Sequence, residues 1–222
     1  MKKYYLFLLL CMTTLFAVSV SSCKETDNEK EEFPDWQTKN EQFFDKKYAE
    51  VKQLVAGGNT EWKVLRAWSL NEQVATHSYD HVLVDVLNAG SGSGCPLYTD
   101  SVKVHYSGRL LPSTSYPQGL IFDQSWQGDY NEATMQPSTF AVNALVTGFA
   151  TALQNMHIGD RWLVYMPHQL GYGSSATVGA AYSTLVFDIT LVGYFRKASP
   201  SAAPAKNGAE KAQTTNGYWV YE

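Results

Sequence analysis

Aromatic side chains at regular spacing are the residues of this chain best suited to create a distinctive chemical environment. Tyr106 lies in phase with the apolar residues of the alternating segment 102–110, and Phe187 does the same in segment 185–191. Alternation with period two is typical of strands that bury one face, so each ring is expected on the apolar face of its strand. Three further rings lie between these segments, at Phe122, Phe149 and Tyr172. Together the five rings predict an apolar pocket.

One carboxylate is placed to modify such a pocket. Asp123 directly follows Phe122 at the end of a short apolar run, and it would lie at the rim. An aspartate at the end of a strand also commonly caps a turn. The sequence leaves both roles open.

Chemistry that needs a metal, a nucleophile or a bound phosphate has little support. None of the five histidines is spaced with a second residue as metal ligands usually are. His105 falls on the polar face of its strand and is expected at the surface. Ser107 and Ser125 lack a nucleophile elbow. The glycine-serine run at 90–94 is followed by Cys95-Pro96 rather than by a helix, which excludes a dinucleotide site. We therefore expect no metal and no cofactor.

A curved sheet would bring these rings together. From Tyr79 to Phe195 the sequence is nearly all β. Alternating or apolar runs occur at 81–87, 102–110, 120–122, 139–142, 161–166 and 185–191. One short amphipathic helix interrupts them, with apolar residues at helical spacing from Phe149 to Met156 and Gly159 at its end. This pattern predicts an α+β fold in which an antiparallel sheet curls around one helix.

An N-terminal extension at residues 33–78 precedes this domain, which we place at 79–195. Its first part has apolar residues at helical spacing up to Gly57, with Asp35 as the expected N-cap. A strand is predicted from Trp62. A helix face with this many aromatic residues is expected to be covered by other protein. It either packs on the main domain, which we favour, or forms a homodimer contact.

The first residues have the features of an export signal. Residues 1–22 combine two lysines with a long apolar run and small residues before Cys23. This arrangement resembles a bacterial lipobox, in which Cys23 is lipidated. The alternative is an ordinary signal with an incidental cysteine. The apolar run falls short of the ~20 residues that a spanning helix needs. The protein is thus expected to be exported and lipid-anchored to the cell envelope, with the outer membrane, on its periplasmic or surface face, as the expected site.

The remaining segments limit the possible partners. Residues 23–32 form the lipidated cysteine and an acidic tether. Residues 196–222 read as a flexible tail that ends in an apolar patch at 218–221, which either docks on the body or binds a partner. Loss of the two signal lysines takes the formal charge from −4 to −6, which excludes a generally basic, nucleic-acid-binding surface. Cys95 would then be the one unmodified cysteine, so no intrachain disulfide is expected.

The order of motifs between Tyr79 and Tyr194 resembles the FKBP-type peptidyl-prolyl isomerases. The segments that carry the resemblance are Val-His-Tyr-Ser-Gly at 104–108, Ile-Phe-Asp-Gln-Ser at 121–125, Val-Thr-Gly-Phe at 146–149, Met-His-Ile-Gly-Asp at 156–160, Leu-Gly-Tyr-Gly at 170–173 and Thr-Leu-Val-Phe-Asp at 184–188. Each segment alone is weak evidence for the family, but all six in this order and spacing are highly specific for it. The family's fold agrees with the curled sheet inferred above.

The resemblance implies roles for five catalytic residues. Tyr106 is similar to the pocket-wall tyrosine, Phe122 to the aromatic that contacts the proline ring, and Asp123 to the carboxylate beside it. Tyr172 matches the tyrosine whose hydroxyl contacts the substrate, and Phe187 matches the last pocket aromatic.

The resemblance also implies four substrate-binding positions. Leu145 and Val146 match a pair whose backbone faces the bound peptide, so the Val146 amide is an implied donor. Phe149 occupies the pocket floor, where the best-known members have Trp. Val178 lies near the apolar residue of the loop over the site. That loop reads Gly-Ala-Ala at 179–181 instead of Ile-Pro-Pro, and it is therefore expected to be more mobile. Insertions at 112–119 and 127–136 enlarge the rim.

The implied activity is cis-trans isomerisation of X–Pro bonds in exported, proline-containing polypeptides. The planar amide resists rotation through resonance, and the less polar twisted state is favoured by an apolar, water-poor cavity. No cofactor is needed. The alternative is a non-catalytic FKBP-like peptide-binding or chaperone module of an envelope lipoprotein. Glycan binding through exposed aromatic residues is a third reading.

Overall fold

The computed structural model describes residues 31–197, 213–214 and 217–221. The predicted export signal, Cys23 and nearly all of the predicted acidic tether lie outside the described residues, as do residues 198–212. The chain from Glu32 onward forms one compact unit. None of the helices within these ranges has the length and apolar character needed to cross a bilayer.

Two helices and nine strands make up the described part. The helices are α1 (Trp36–Ala56) and α2 (Thr147–Leu153). The strands are β1 (Trp62–Arg66), β2 (His81–Asn88), β3 (Ser101–Arg109), β4 (Ile121–Gln124), β5 (Ser138–Ala141), β6 (Arg161–Met166), β7 (Leu185–Lys197), β8 (Gln213–Thr214) and β9 (Gly217–Val220). Short 3₁₀ turns occur at Ser78–Asp80, Val142–Ala144 and His168–Leu170.

All strand pairs belong to one antiparallel sheet. The main path runs β1-β2-β6-β7-β3-β4, β5 pairs with β3, and β9 pairs with β7 and β8. β3 and β7 form the longest pairing, in which Tyr106 lies opposite Ile189 and Gly108 lies opposite Phe187. These two strands position Tyr106 and Phe187, two of the five aromatic residues singled out above.

The inner face of the sheet packs on α2, and the two together form the main core. Every residue from Gly148 to Leu153 is buried. Alternate strand residues such as Val84, Trp162 and Val164 face this helix in the same cluster. This arrangement confirms the predicted α+β fold with a sheet around one short helix.

The long helix α1 covers the other face of the sheet at one end. Its buried residues Trp36, Asn40, Phe44 and Val51 follow helical spacing. Phe44 and Val51 form a second apolar cluster with Leu83 of β2. β2 is thus buried on both faces at this point, which explains its continuous apolar run of Val82 to Val84. The aromatic helix face packs on the body of its own chain.

The aromatic end of the chain also lies against the body. β9 pairs with the end of β7, where Trp219 lies opposite Phe195 at 5.6 Å between ring centroids. Lys103 of β3 lies 4.6 Å from the Trp219 ring and donates a hydrogen bond of 2.8 Å to the Tyr221 hydroxyl. The sequence left open whether this patch docks on the body or binds a partner. In the structure it is docked on the body.

Candidate active site

The structure brings the five predicted rings into one continuous cluster at the open end of the core. Phe187 lies at its centre, 5.0 Å from Phe149 and 5.4 Å from Phe122, with edge-to-face geometry in both pairs. Tyr106 lies 6.2 Å from Phe149, and Tyr172 lies 6.5 Å from Phe122. Phe149 and Phe187 are buried, whereas Phe122 and Tyr172 are partly exposed at the edge. The arrangement has an apolar floor and an accessible rim.

Two glycines allow the rings to approach the backbone this closely. A side chain at Gly108 would come within 2.4 Å of the Phe187 ring and 2.7 Å of the Phe122 ring. A side chain at Gly148 would come within 2.9 Å of Met166, so α2 can seat Phe149 beneath the pocket only because this residue is glycine. Both glycines belong to sequence motifs noted above, but the motifs do not reveal this steric role.

Asp123 forms a hydrogen bond with Tyr106, the tyrosine predicted for the pocket wall. Its Oδ2 accepts a hydrogen bond of 2.8 Å from the Tyr106 hydroxyl. Burial, followed by this hydrogen bond, raises the pKa of Tyr106 well above its ordinary value. Burial also raises the pKa of Tyr172, with a smaller contribution from the charge of Asp123. Both phenols therefore stay protonated at ordinary pH, so each hydroxyl keeps a proton that it can donate in a hydrogen bond.

Ser125 fixes the backbone that carries Tyr106. The Ser125 Oγ accepts a hydrogen bond of 2.9 Å from the Tyr106 N–H, and the Ser125 N–H donates one of 2.8 Å to the Tyr106 carbonyl. Phe140 of β5 packs against the same tyrosine at 5.4 Å with edge-to-face geometry. Neither Ser125 nor Phe140 was predicted from the sequence as a partner of Tyr106. Their signal was the position of Ser125 inside a motif and of Phe140 inside a predicted strand.

The start of α2 presents a free backbone donor to the rim. Val146 is the N-cap residue of α2, and its carbonyl accepts the hydrogen bond from Ala150 N–H. Among the described residues, the Val146 N–H itself has no hydrogen-bond partner. Leu145 and Val146 are both partly exposed beside the core cluster. This amide is therefore available to a ligand.

The loop at 173–182 lies over one side of the cluster. Val178 packs against the margin of the core, and a side chain at Gly179 would meet Leu120 at 3.0 Å. Ala180 is buried, and its carbonyl accepts a hydrogen bond of 2.8 Å from the Ser183 hydroxyl. Although it lacks the two prolines expected of the family, the loop is tied to its surroundings.

His105 corrects one expectation from the sequence. It was expected at the surface, but it is 1% exposed and its Nδ1 has no hydrogen-bond partner among the described residues. The insertion after β4 folds over the outer face of the sheet, and Tyr130 packs edge-to-face on His105 at 5.5 Å. Alternation correctly predicted that His105 and Tyr106 lie on opposite faces of the sheet. It did not reveal that the insertion after β4 covers the outer face. Within the described ranges, no group of three metal-ligand residues comes together.

Comparisons with known proteins agree with the family resemblance. Residues 95–192 match the family model described as FKBP-type peptidyl-prolyl cis-trans isomerase. The chain is 37% identical over 105 residues to the macrophage infectivity potentiator of Trypanosoma cruzi, covering 46% of this chain and 47% of the relative. It is 36% identical over 110 residues to the FKBP-type 22 kDa peptidyl-prolyl cis-trans isomerase of Escherichia coli K12, covering 48% of this chain and 47% of the relative.

A third relative has a name that refers to a membrane. The outer membrane protein MIP of Legionella longbeachae is 33% identical over 109 residues, covering 48% of this chain and 41% of the relative. The chain spans about half the length of the curated relatives it matches. The match covers the sheet from just before β3 through most of β7, together with α2, and thus contains all nine predicted pocket residues.

Proposed function

We propose that this chain, whose residues 95–192 belong to the FKBP-type peptidyl-prolyl cis-trans isomerase family, catalyses the cis-trans isomerisation of X–Pro bonds in exported polypeptides. The observation that carries this proposal is the ring cluster centred on Phe187, with an apolar floor and a partly exposed rim. A prolyl ring is compact and apolar, so it fits a cavity walled by aromatic edges and faces.

The reaction needs no covalent chemistry from the protein. Rotation about the X–Pro bond is opposed by about 18–20 kcal/mol because the planar amide is stabilised by resonance. The twisted amide has lost that resonance and is less polar. An apolar site that excludes water therefore favours the twisted state over both planar isomers, and such differential binding lowers the barrier. Phe122, Phe149 and Phe187 would enclose the prolyl ring.

Two donors at the rim would hold the peptide while its bond rotates. The Val146 N–H is available to a peptide carbonyl, and the Tyr172 hydroxyl has no hydrogen-bond partner among the described residues. Asp123 would act through Tyr106, whose hydroxyl it fixes at 2.8 Å. Leu145 and Val178 would contact the residues on either side of the proline.

A protease-free isomerisation assay on X–Pro peptides tests this site. We expect Phe122→Ala to lower kcat/KM by roughly 10- to 100-fold, because a large part of the prolyl contact is lost. Tyr172→Phe and Asp123→Ala each remove one hydrogen bond, so a reduction of about three- to tenfold is expected. Tyr98→Phe, at an exposed tyrosine outside the cluster, is the matched control and should retain full activity. Wild-type rates in all three site variants would reject the proposal.

A non-catalytic peptide-holding module is the second candidate. The Trp68 and Tyr98 rings pack in a tilted arrangement with centroids 4.1 Å apart, and both are exposed, as is Leu97. Exposed apolar groups of this kind suit the transient binding of unfolded chains. Suppression of aggregation of an unfolded client, retained in Phe122→Ala but lost in Trp68→Ala, would favour this second function.

We also propose that the protein is exported and held at the cell envelope by lipid on Cys23. This residue lies outside the described residues, and the support comes from the signal-like sequence and the family. Two or more acyl chains are needed for stable attachment, since a single chain binds a bilayer only marginally. Labelling of cells with a radioactive fatty acid should mark the wild type and not Cys23→Ser. A homodimer through α1 would use its exposed Leu54 and Val55, and sedimentation would detect it.

A further inference from the structure

The segment Glu32 to Glu41, here called the strap, contacts both loops that flank the ring cluster. One rim loop comprises residues 112–119, between β3 and β4. The other comprises residues 172–184, between Tyr172 of the cluster and the start of β7. The strap lies outside the part of the chain that matches the family model. Its contacts therefore belong to the extension of this protein.

Trp36 reaches the second rim loop through a buried relay. Its indole N–H donates a hydrogen bond of 2.7 Å to the Ser183 Oγ. The Ser183 hydroxyl in turn donates one of 2.8 Å to the Ala180 carbonyl. Trp36, Ser183 and Ala180 are all at least nine-tenths buried. The relay thus ends at the middle of the Gly-Ala-Ala segment, where the sequence predicts the least rigid backbone.

Asn40 holds the end of the same loop. Its Oδ1 accepts a hydrogen bond of 2.7 Å from the Thr184 N–H, and its Nδ2 donates one of 2.7 Å to the Trp36 carbonyl. The Asn40 carbonyl also accepts a hydrogen bond of 3.3 Å from the Thr184 hydroxyl. Asn40 is fully buried. The buried Asn40 makes two bonds through its side-chain amide and one through its backbone carbonyl, and these bonds fix the distance between helix and loop.

Glu32 holds the first rim loop. Its carboxylate accepts hydrogen bonds from the Ser113 hydroxyl at 2.5 Å and from the Ser115 N–H at 2.9 Å. These bonds, with that from Ser113 the stronger, lower the pKa of Glu32. The two rim loops are thereby tied to one short segment of chain.

We propose that the strap is a working part of the isomerase site, with Trp36 and Asn40 as positioning residues that keep the 172–184 loop in the conformation that binds substrate. This inference rests on the proposed function. A free loop samples other conformations, and the apparent affinity for substrate then falls by the fraction of time spent in the competent one. The strap here performs the task that two prolines would otherwise perform by limiting the backbone directly.

The test is Ser183→Ala in the full chain, because this change removes one oxygen atom and breaks the relay at its centre. We expect KM to rise by roughly three- to tenfold with kcat within about twofold, as a loss of pre-organisation predicts. Amide hydrogen exchange at residues 173–182 should become faster. Ser183→Thr keeps the hydroxyl and should restore both values. Glu32→Gln, at a more accessible position, provides a second variant and should speed exchange at residues 112–119.

Val51→Ala is the matched control for stability. It truncates a buried residue of α1 that contacts neither rim loop, so it should lower Tm and leave both KM and exchange at 173–182 unchanged. If Ser183→Ala instead behaves like this control, the strap has only a structural role and the inference is wrong.

The exchange measurement also separates this inference from the proposed function. An inactive wild type would refute the isomerase proposal, and exchange alone would then decide whether the strap holds the loops. Faster exchange in Ser183→Ala would support the strap, and unchanged exchange would overturn it.

Discussion

The inner and outer faces of the central sheet bury different kinds of side chain, although the same three strands, β3, β6 and β7, build both. On the inner face, β3 and β7 contribute Tyr106 and Phe187 to an aromatic cluster. On the outer face, the neighbouring residues His105 and Asp188 belong to a polar cluster under the insertion after β4.

The polar groups of the two faces are arranged in opposite ways. On the inner face, Asp123 pairs with Tyr106 at the partly exposed edge of the ring cluster. On the outer face, Arg161 makes two hydrogen bonds to Asp188, at 2.7 and 3.0 Å, and its guanidinium lies 4.4 Å from the Tyr130 ring. The inner face is therefore suited to a ligand, whereas the outer face is suited to holding the insertion in place.

Phe187→Ala should produce the largest effect. Truncation of a buried phenylalanine at the centre of the cluster should lower the free energy of unfolding by about 3–5 kcal/mol. It should also lower kcat/KM by roughly 100-fold, because the prolyl contact is lost with the ring. Chemical denaturation and the isomerisation assay measure the two effects. Phe195→Ala, farther along β7 and packed on Trp219, is the matched control. Equal losses of kcat/KM in both variants would remove the distinction between the faces.

Arg161→Leu should have an intermediate effect on stability and little on activity. It leaves the Asp188 carboxylate without its partner, which should cost about 1–2 kcal/mol, since Arg161 is one-third exposed and solvent screens part of the charge. The double variant Arg161→Leu, Asp188→Leu should recover part of that loss, because no unpaired charge remains. Unfolding curves measure both variants. A large fall in kcat/KM for Arg161→Leu would show that the outer face contributes to catalysis.

The smallest expected effect is a dependence of stability on pH that comes from His105. Burial lowers the pKa of His105, and the charge of Glu132 opposes this only in part. The unfolded chain therefore binds a proton at a higher pH than the folded chain. The contribution of neutral, buried His105 to the free energy of unfolding is fully present above the unfolded pKa of about 6.5. It falls as the pH drops below that value, until the folded group is also protonated.

Thermal unfolding between pH 7.5 and 5 measures this dependence. We expect His105→Gln to have a flatter profile of Tm against pH than the wild type. A wild-type slope in His105→Gln would mean that the buried imidazole does not contribute.

Much of the fold and of the ring cluster could be predicted from the sequence because both depend on local periodicity. Alternation placed Tyr106 and Phe187 on the inner face, and helical spacing placed Phe149 on α2. The outer face was not predictable in the same way, because an alternating strand does not reveal what covers its polar side. His105 is buried by a loop that begins some twenty residues later, and that loop has no periodic pattern.

The strap was unpredictable for a related reason. Trp36 and Ser183 are 147 positions apart in the sequence, and neither position has a motif that indicates its partner. The spacing of Trp36, Phe44 and Val51 predicts a buried helix face, and these three residues are buried. This spacing does not show whether the helix face only packs on the sheet or also forms hydrogen bonds with a loop.

The path of the sheet has a practical consequence for anyone who trims this protein. The family match begins at Cys95, yet β2 lies before that residue and is paired on both sides, with β1 and with β6. A fragment that starts at Cys95 would lose the interior strand β2. The edge of β6 would then have unpaired backbone groups and would be prone to self-association. The part of the chain that should fold as one piece is therefore larger than the part that matches the family model.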